Sequence, residues 1–358
     1  MQSMSLHPDF SQAGSGSTGT SPINTDPTER ELKRLTLDGQ PETMYVVLNR
    51  FYANKMVNTH SGETQLLTSQ RDTRDRVLLQ MGGSLRTRAS IVWTPQPTIK
   101  KADVCIKVRR PTDAAGSMMR SEFERRTDDF FGNDLRVLTE KYNPGDAANS
   151  DLYRTLSAIG DQPLFEHFRV DTLRNRYVIH IPNEDIGLSA DQNFYGELLL
   201  DRVRYVMDLP QVNATIVFNP HCELEFEALM KPCDYNPTKE SHRMYCQNLS
   251  EADVISGMSY AASIIDAVGG RRLITTDLGK AERGFQALDQ VKAALSMHPS
   301  VEINDPSNIL LNGIHDWTQP IIIRASDTGY LGWDTPVITL EMLKRSKPAA
   351  NSNSHFTL

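Results

Sequence analysis

The apolar positions of this chain follow two rhythms. From Glu251 to Val268, the side chains of Val254, Met258, Ala261, Ile265 and Val268 recur every three or four residues, the period of one helical face. Ser250 ahead of this run, with Asp253 three positions on, predicts a capping box, and Gly269-Gly270 predicts the stop. Phe285, Leu288, Val291 and Leu295 repeat the rhythm over Glu282 to Met297, with Pro299 beyond. Further helices are predicted over Ser117 to Tyr142, with Phe123, Phe130, Phe131, Leu135 and Leu138 as the apolar side, over Asp151 to Ile159, and over Asn193 to Leu209.

Elsewhere the period is two. Val104, Ile106 and Val108 alternate with Cys105, Lys107 and Arg109, which predicts a strand with one buried and one basic face. Met44 to Val57, Ala89 to Trp93, Asn213 to Asn219, Ile321 to Ala325 and Val337 to Leu340 read as strands, and Leu164 to Val170 with Arg176 to Ile181 as a hairpin. No repeat of fixed length occurs, and strands and helices do not alternate regularly. The expected fold class is therefore α+β: a mixed or antiparallel sheet packed with several amphipathic helices, with flexible polar arms at both ends.

Those arms set the predicted domain organisation. Residues 1–30 are rich in Ser, Gly, Thr and Pro and read as a flexible arm; residues 344–358 form a polar tail. Between them lie an α+β lobe over 31–220 and a second lobe, or a continuation of the first, over 221–343. Gly14 to Gly19 spell G-x-G-x-x-G, but no strand precedes them and no helix follows, so the match carries no phosphate-binding meaning. No apolar run approaches the roughly 20 residues that span a bilayer. The N-terminus lacks a secretory pattern, and four cysteines in 358 residues fit a reducing compartment, so the expected location is cytoplasmic, or a virus-like particle assembled there.

The net charge of −7 hides an asymmetry. Residues 71–126 hold 13 Lys and Arg against six Asp and Glu, an excess of seven positive charges, which leaves −14 for the rest. Arg86, Arg88, Lys100, Lys101, Lys107, Arg109 and Arg110 are the candidate contacts of this segment, to nucleic acid or to an acidic protein surface. Trp93 and Phe123 are nearby rings that could stack on a base, and Gly82-Gly83 could admit a phosphate.

Candidate chemistry is otherwise sparse. Cys222, Cys233, His242 and Cys246 are the candidate metal ligands, with His221 beside the first, and zinc is the cofactor that donor set would take. No close C-x2-C pair anchors them, so small buried thiols are the competing reading. Gly257-Met258-Ser259-Tyr260-Ala261 resembles a nucleophile elbow only in letters, since the serine falls inside the best-patterned helix; small residues for close packing explain it better. His315-Asp316 reads as a surface turn, and His167, His180 and His298 as structural histidines. No catalytic residue is identified. The expected function is thus a self-assembling structural protein of a particle or other large complex, a homo-oligomer that uses its arms and basic segment. The alternatives are a protein that coats nucleic acid through residues 71–126, and a zinc-stabilised enzyme or module.

Overall fold

The computed structural model describes residues 26–37, 41–93, 97–131, 135–142, 150–209, 214–218, 221–230, 244–297, 320–324 and 338. In chain order they form β1 (Thr28–Thr36), α1 (Glu42–Ala53), β2 (Val57–Asp72), α2 (Val77–Gln80), β3 (Gly83–Trp93), β4 (Pro97–Arg110), β5 (Met118–Thr127), α3 (Arg136–Lys141), α4 (Asp151–Ile159) and β6 (Phe165–Ile181). There follow α5 (Asn183–Ile186), β7 (Phe194–Leu209), β8 (Ala214–Phe218), β9 (His221–Ala228), α6 (Glu251–Gly269), β10 (Leu273–Thr275), α7 (Lys280–Met297) and β11 (Pro320–Arg324).

Eight of the strands close on themselves. The ring runs β1-β5-β4-β3-β2-β6-β7-β9 and returns to β1, each neighbour antiparallel. Closure satisfies backbone groups that an open sheet would leave at its edges. β8 and β11 extend β7, and β10 flanks β1. The α+β expectation of a sheet packed with several amphipathic helices is corrected: this is predominantly an antiparallel sheet, closed as a barrel, with few helices around it.

The barrel is apolar outside and charged inside. On β9, Leu224 and Phe226 face outward while Glu223, Glu225 and Glu227 face the lumen. Outer-face residues Leu32, Ile179, Leu198, Leu224 and Phe226 form one core with Val47 and Phe51 of α1 and Met258 and Ile265 of α6. Arg34 of β1 clamps α6 through Asp266, with Nε and Nη2 2.8 and 2.9 Å from its two carboxylate oxygens. A second outer core gathers Leu85, Ile106 and Phe123 of the wall against Leu78, Leu138 and Leu152. At one end the inner face itself turns apolar. There Phe285, Leu288 and Val291 of α7 seat against Phe168, Val170, Val203 and Tyr205, closing that end.

Several elements depart from their sequence pattern. Residues 44–53 are helical, not a strand: Met44, Val47, Leu48 and Phe51 are buried at helical spacing despite their β-forming neighbours. The helix predicted from Ser117 begins instead as strand β5, whose charged residues 120, 122 and 124 alternate with buried Ser121 and Phe123. Asn193 to Leu209 is likewise a strand, and the predicted hairpin at 164–181 is one continuous strand of 17 residues. The helices over 151–159 and 251–269 form as predicted, the latter with its Ser250–Asp253 capping box. Gly257 packs as a small residue should, since a Cβ there would lie 2.3 Å from the Phe194 ring, while Ser259 is exposed. The second predicted helix forms as α7. Among the described residues no helix is long and apolar enough to cross a membrane. Residues 1–25, including Gly14 to Gly19, the tail 344–358, His298, His315 and all but Ile338 of the strand predicted at 337–340 lie outside the described residues.

Candidate functional site

Alternation along each strand aims every second side chain at the lumen, so the charged positions of eight strands converge on one space. That cavity has a volume of about 570 Å³, and nine acidic and nine basic side chains line it. The charges are not mixed evenly. β1 and β9 contribute Glu29, Glu31, Glu225 and Glu227, while β3 and β4 contribute Arg86, Arg88, Lys101 and Lys107.

Each wall is cross-braced. Lys107 Nζ lies 2.6 Å from both oxygens of Glu29 and 3.2 Å from Glu122. Arg86 and Arg88 meet Glu122 and Glu124 at 3.3 and 2.9 Å. On the opposite side Arg174 donates to both oxygens of Asp201, at 2.7 and 2.6 Å, and to Glu225 at 3.0 Å. The first turn of α7 enters this acidic zone. Lys280 reaches Glu225 at 2.8 Å and Asp201 at 3.0 Å, and Arg283 donates to both oxygens of Glu223 at 2.7 Å. Burial alone would favour neutral lysine, yet Glu122 and Glu29 hold the Lys107 ammonium well above its ordinary range.

Glu29, Glu31 and Glu227 break this pattern of compensation. One oxygen from each lies within 4.8 Å of the others. Glu29 and Glu31 have cationic partners in Lys107 and Arg120, whereas the Glu227 carboxylate makes no hydrogen bond or ion pair among the described residues. Burial, together with Glu29 and Glu31 and against the pull of Lys107, pushes the Glu227 carboxyl well above the usual range. Three converging carboxylates, one of them uncompensated, are a hard-cation donor set that suits Mg²⁺ or Mn²⁺. A second group, Cys105 with Glu122 and Glu124, is a poorer fit. Its carboxylates already hold Arg86, Arg88 and Lys107, and burial pushes the Cys105 thiol up, away from the thiolate a metal needs.

The basic segment is therefore largely an interior. Arg86, Arg88, Lys101 and Lys107 line the lumen. Arg109 pairs with Asp277 and Glu282 near the α7 end, and Arg110 bonds Thr28 and Asp151. Lys100 is exposed. Trp93 donates outward to Gln65 at 2.7 Å and Phe123 is buried in the outer core, so neither ring stands over the basic wall. Cys222 and Cys246 lie in the apolar core under α1 and α6; Cys233 and His242 are outside the described residues. His221 is stacked on Tyr205, and burial lowers its pKa.

The sequence reading passed over the acidic wall. Its signal was there in Glu29-x-Glu31-x-Lys33 and Glu223-x-Glu225-x-Glu227, a charged period of two with Leu32, Leu224 and Phe226 between.

Compared by sequence, the chain matches no protein-family model and no curated protein. Compared by structure, it is similar to a Hippeastrum protein described as an adenylyl cyclase with a dominant triphosphatase activity, at 14% identity over 72% of this chain and 95% of that one, TM-score 0.37. It is also similar to a protein of Bacillus halodurans described as an adenylate cyclase, at 18% identity over 72% and 98%, TM-score 0.36. The capping-enzyme triphosphatase of Mimivirus follows at 9% identity over 57% and 81%, TM-score 0.27. The expectation of a self-assembling structural or virion protein is corrected: of the basic side chains that were to make assembly contacts, Arg86, Arg88, Lys101 and Lys107 line the barrel lumen instead.

Proposed function

We propose that the protein is a divalent-cation-dependent hydrolase of phosphoanhydride chains, acting inside the barrel. Likenesses at these TM-scores carry no part of the argument, which rests on the lumen. One observation carries it: the barrel cavity sets three converging carboxylates, Glu29, Glu31 and Glu227, the last with no ion-pair partner among the described residues, against a wall of cations. A polyphosphate needs both halves. Its non-bridging oxygens match Arg86, Arg88 and Lys107, whose guanidinium forks and ammonium are already desolvated and fixed in place. A cation held by the trio would polarise the phosphoryl group and offset the charge that develops as water displaces the leaving phosphate. The volume of about 570 Å³ suits a small ligand.

The cations are pre-positioned by carboxylates that an incoming phosphate chain would replace. Glu122 and Glu124 hold Arg86 and Arg88 at the wall, so binding exchanges one anionic partner for another without rebuilding the site. The test is phosphate release from inorganic tripolyphosphate and from ATP, with Mg²⁺ or Mn²⁺ and with chelator. The expected result is cation-dependent release, reduced at least a hundredfold by Glu31→Gln and by Arg86→Ala. No release by the natural protein with either cation, together with no binding of tripolyphosphate by calorimetry, overturns the proposal.

A further inference from the structure

α1 buries Met44, Val47, Leu48 and Phe51 against the outer wall of the barrel. Its opposite face, which bears Tyr45, Val46, Asn49, Tyr52 and Ala53, is exposed. Of the ten large hydrophobic residues exposed among the described residues, three stand on this one helix: Tyr45, Val46 and Tyr52, each nearly half exposed. That concentration makes a stripe, where scattered single residues would call for no explanation. The stripe continues onto the wall. Tyr52 meets Tyr177 of β6 edge to face, with centroids 6.3 Å apart, and exposed His60 of β2 stacks on Tyr177 at 4.4 Å with planes 7° apart. Rings already fixed by one another lose little freedom when a partner covers them.

Two charges frame the stripe. Glu42 lies in the first turn of α1 and Arg50 in the last; both are exposed, and neither side chain has a hydrogen bond or ion pair among the described residues. Each is four residues from Val46, about 6 Å of helix rise. A second copy of α1 laid antiparallel on the first, with a two-fold axis between the two Val46 side chains, brings Glu42 of each copy level with Arg50 of the other. It also sets the two helix dipoles in opposition. The face is therefore complementary to itself, as an isologous contact requires. A nucleic acid or an anionic membrane calls for an excess of cations, and α1 carries one charge of each sign.

We propose that the protein pairs with a second copy of itself through α1, with Tyr45 and Val46 at the centre, Tyr52 at the flank and two Glu42–Arg50 ion pairs at the ends. An isologous contact closes at two chains and builds no larger assembly. Among the described residues none of α1 lines the cavity, so the pairing stands or falls independently of the hydrolase reading. One helix and its neighbouring rings make a small interface, and the expected dissociation constant is micromolar.

The experiment is light scattering behind size-exclusion chromatography, over a dilution series, on the natural protein and three variants: Val46→Glu, Arg50→Glu, and the exchange of Glu42→Arg with Arg50→Glu. The natural protein is expected to weigh two chains when concentrated and to approach one on dilution. Val46→Glu sets two like charges against each other on the axis, and Arg50→Glu does so at both ends. Each raises the dissociation constant about a hundredfold, because symmetry counts every change twice. The exchange restores both ion pairs with reversed signs and brings the constant back to within about tenfold, the remainder reflecting charges now opposed to the helix dipole. That recovery separates a contact from a folding defect. A natural protein that remains a single chain at the highest concentration reached overturns the proposal. So does a dimer that survives Val46→Glu, and so does an exchange that pairs no better than Arg50→Glu alone.

Discussion

Lys107 of β4 skips a strand to hold Glu29 of β1, with Nζ 2.6 Å from both carboxylate oxygens and both side chains about one-tenth exposed. Glu122 shares the same ammonium at 3.2 Å. One lysine thus balances two buried carboxylates on neighbouring strands. Replacing it with methionine keeps the stem, strips Glu29 of its ion-pair partner and leaves Glu122 to Arg86 alone. Lys107→Met is expected to cost about 3 kcal/mol at neutral pH, the scale for breaking a buried pair by removing one partner. The loss should shrink below about pH 4.3, where Glu122, which the ammonium helps hold below the usual carboxylate range, takes up a proton. Urea denaturation across that range checks it; a pH-independent loss would mean that packing, not charge, is what Lys107 supplies.

The plug at the closed end depends on a bare backbone. Gly284 lies on the face of α7 that meets Phe168, and a Cβ there would sit 2.2 Å from two atoms of that ring. Helix propensity alone favours alanine over glycine by about 1 kcal/mol. Overpacking against a ring already wedged between Tyr205 and Phe285 costs about 1–3 kcal/mol and should win. Gly284→Ala is therefore expected to lower the melting temperature. A rise would show that Phe168 can swing aside and that α7 is less tightly seated than its contacts indicate.

Legibility in the sequence divides along the same line as the barrel's two faces. The helix after Ser250 could be read because its cap and its stripe are both local. So could the alternation of Val104 and Ile106 with Cys105 and Lys107. What could not be read was which side was inside. A charged face at period two is ordinarily the solvent side of a half-buried strand, and Lys107 and Arg109 were assigned to it. Closure reverses the assignment, because the apolar face is then covered by α1, α6 and the short helices, and the charged face is enclosed. Closure depends on the pairing of residues 31–35 with 223–227, nearly two hundred residues apart, which no local pattern encodes. Glu29 and Glu31 straddle the boundary drawn for a flexible arm, and Glu223 to Glu227 stand next to a cysteine that drew attention to metal of the wrong kind. The positive excess of residues 71–126 was a real feature of the chain, and its counter-charge is in the lumen.

Glu223 and Glu225 set the acid limit of the fold. Burial would raise both carboxyls, but Arg283 and Lys280 for the first, and Lys280 and Lys33 for the second, outweigh it and hold both well below the usual range. A carboxylate depressed in the folded state contributes stability that is complete above its unfolded pKa, about 4.3, and is lost as pH falls toward the folded value. The barrel is therefore expected to lose stability steeply below about pH 4.3. Glu223→Gln should be weaker at neutral pH, because Arg283 loses its charged partner, and flatter in acid. Melting curves for the two proteins that stay parallel down the acid limb would refute this account.

Glu227 has the opposite sign, and that makes it the sharpest probe of the proposed cation. Its carboxyl is raised by burial and by Glu29 and Glu31, so the folded barrel holds a proton there more tightly than the unfolded chain does. Such a group favours folding while protonated, below the unfolded pKa, and that contribution is lost as pH rises through the folded value. Wherever it is ionised, Glu227 therefore opposes folding. Glu227→Gln removes the charge and keeps the shape, so without divalent cation the variant should be the more stable protein. With cation the order should reverse. Binding to the trio at a hundred times the dissociation constant adds about 2.7 kcal/mol to the natural protein, and the variant, short of one anionic ligand, gains much less. Paired thermal melts with chelator and with Mg²⁺ or Mn²⁺ measure both halves. A variant that is less stable in chelator would deny the strain among the three carboxylates, and equal stabilisation of both proteins by the cation would place the ion somewhere other than beside Glu227.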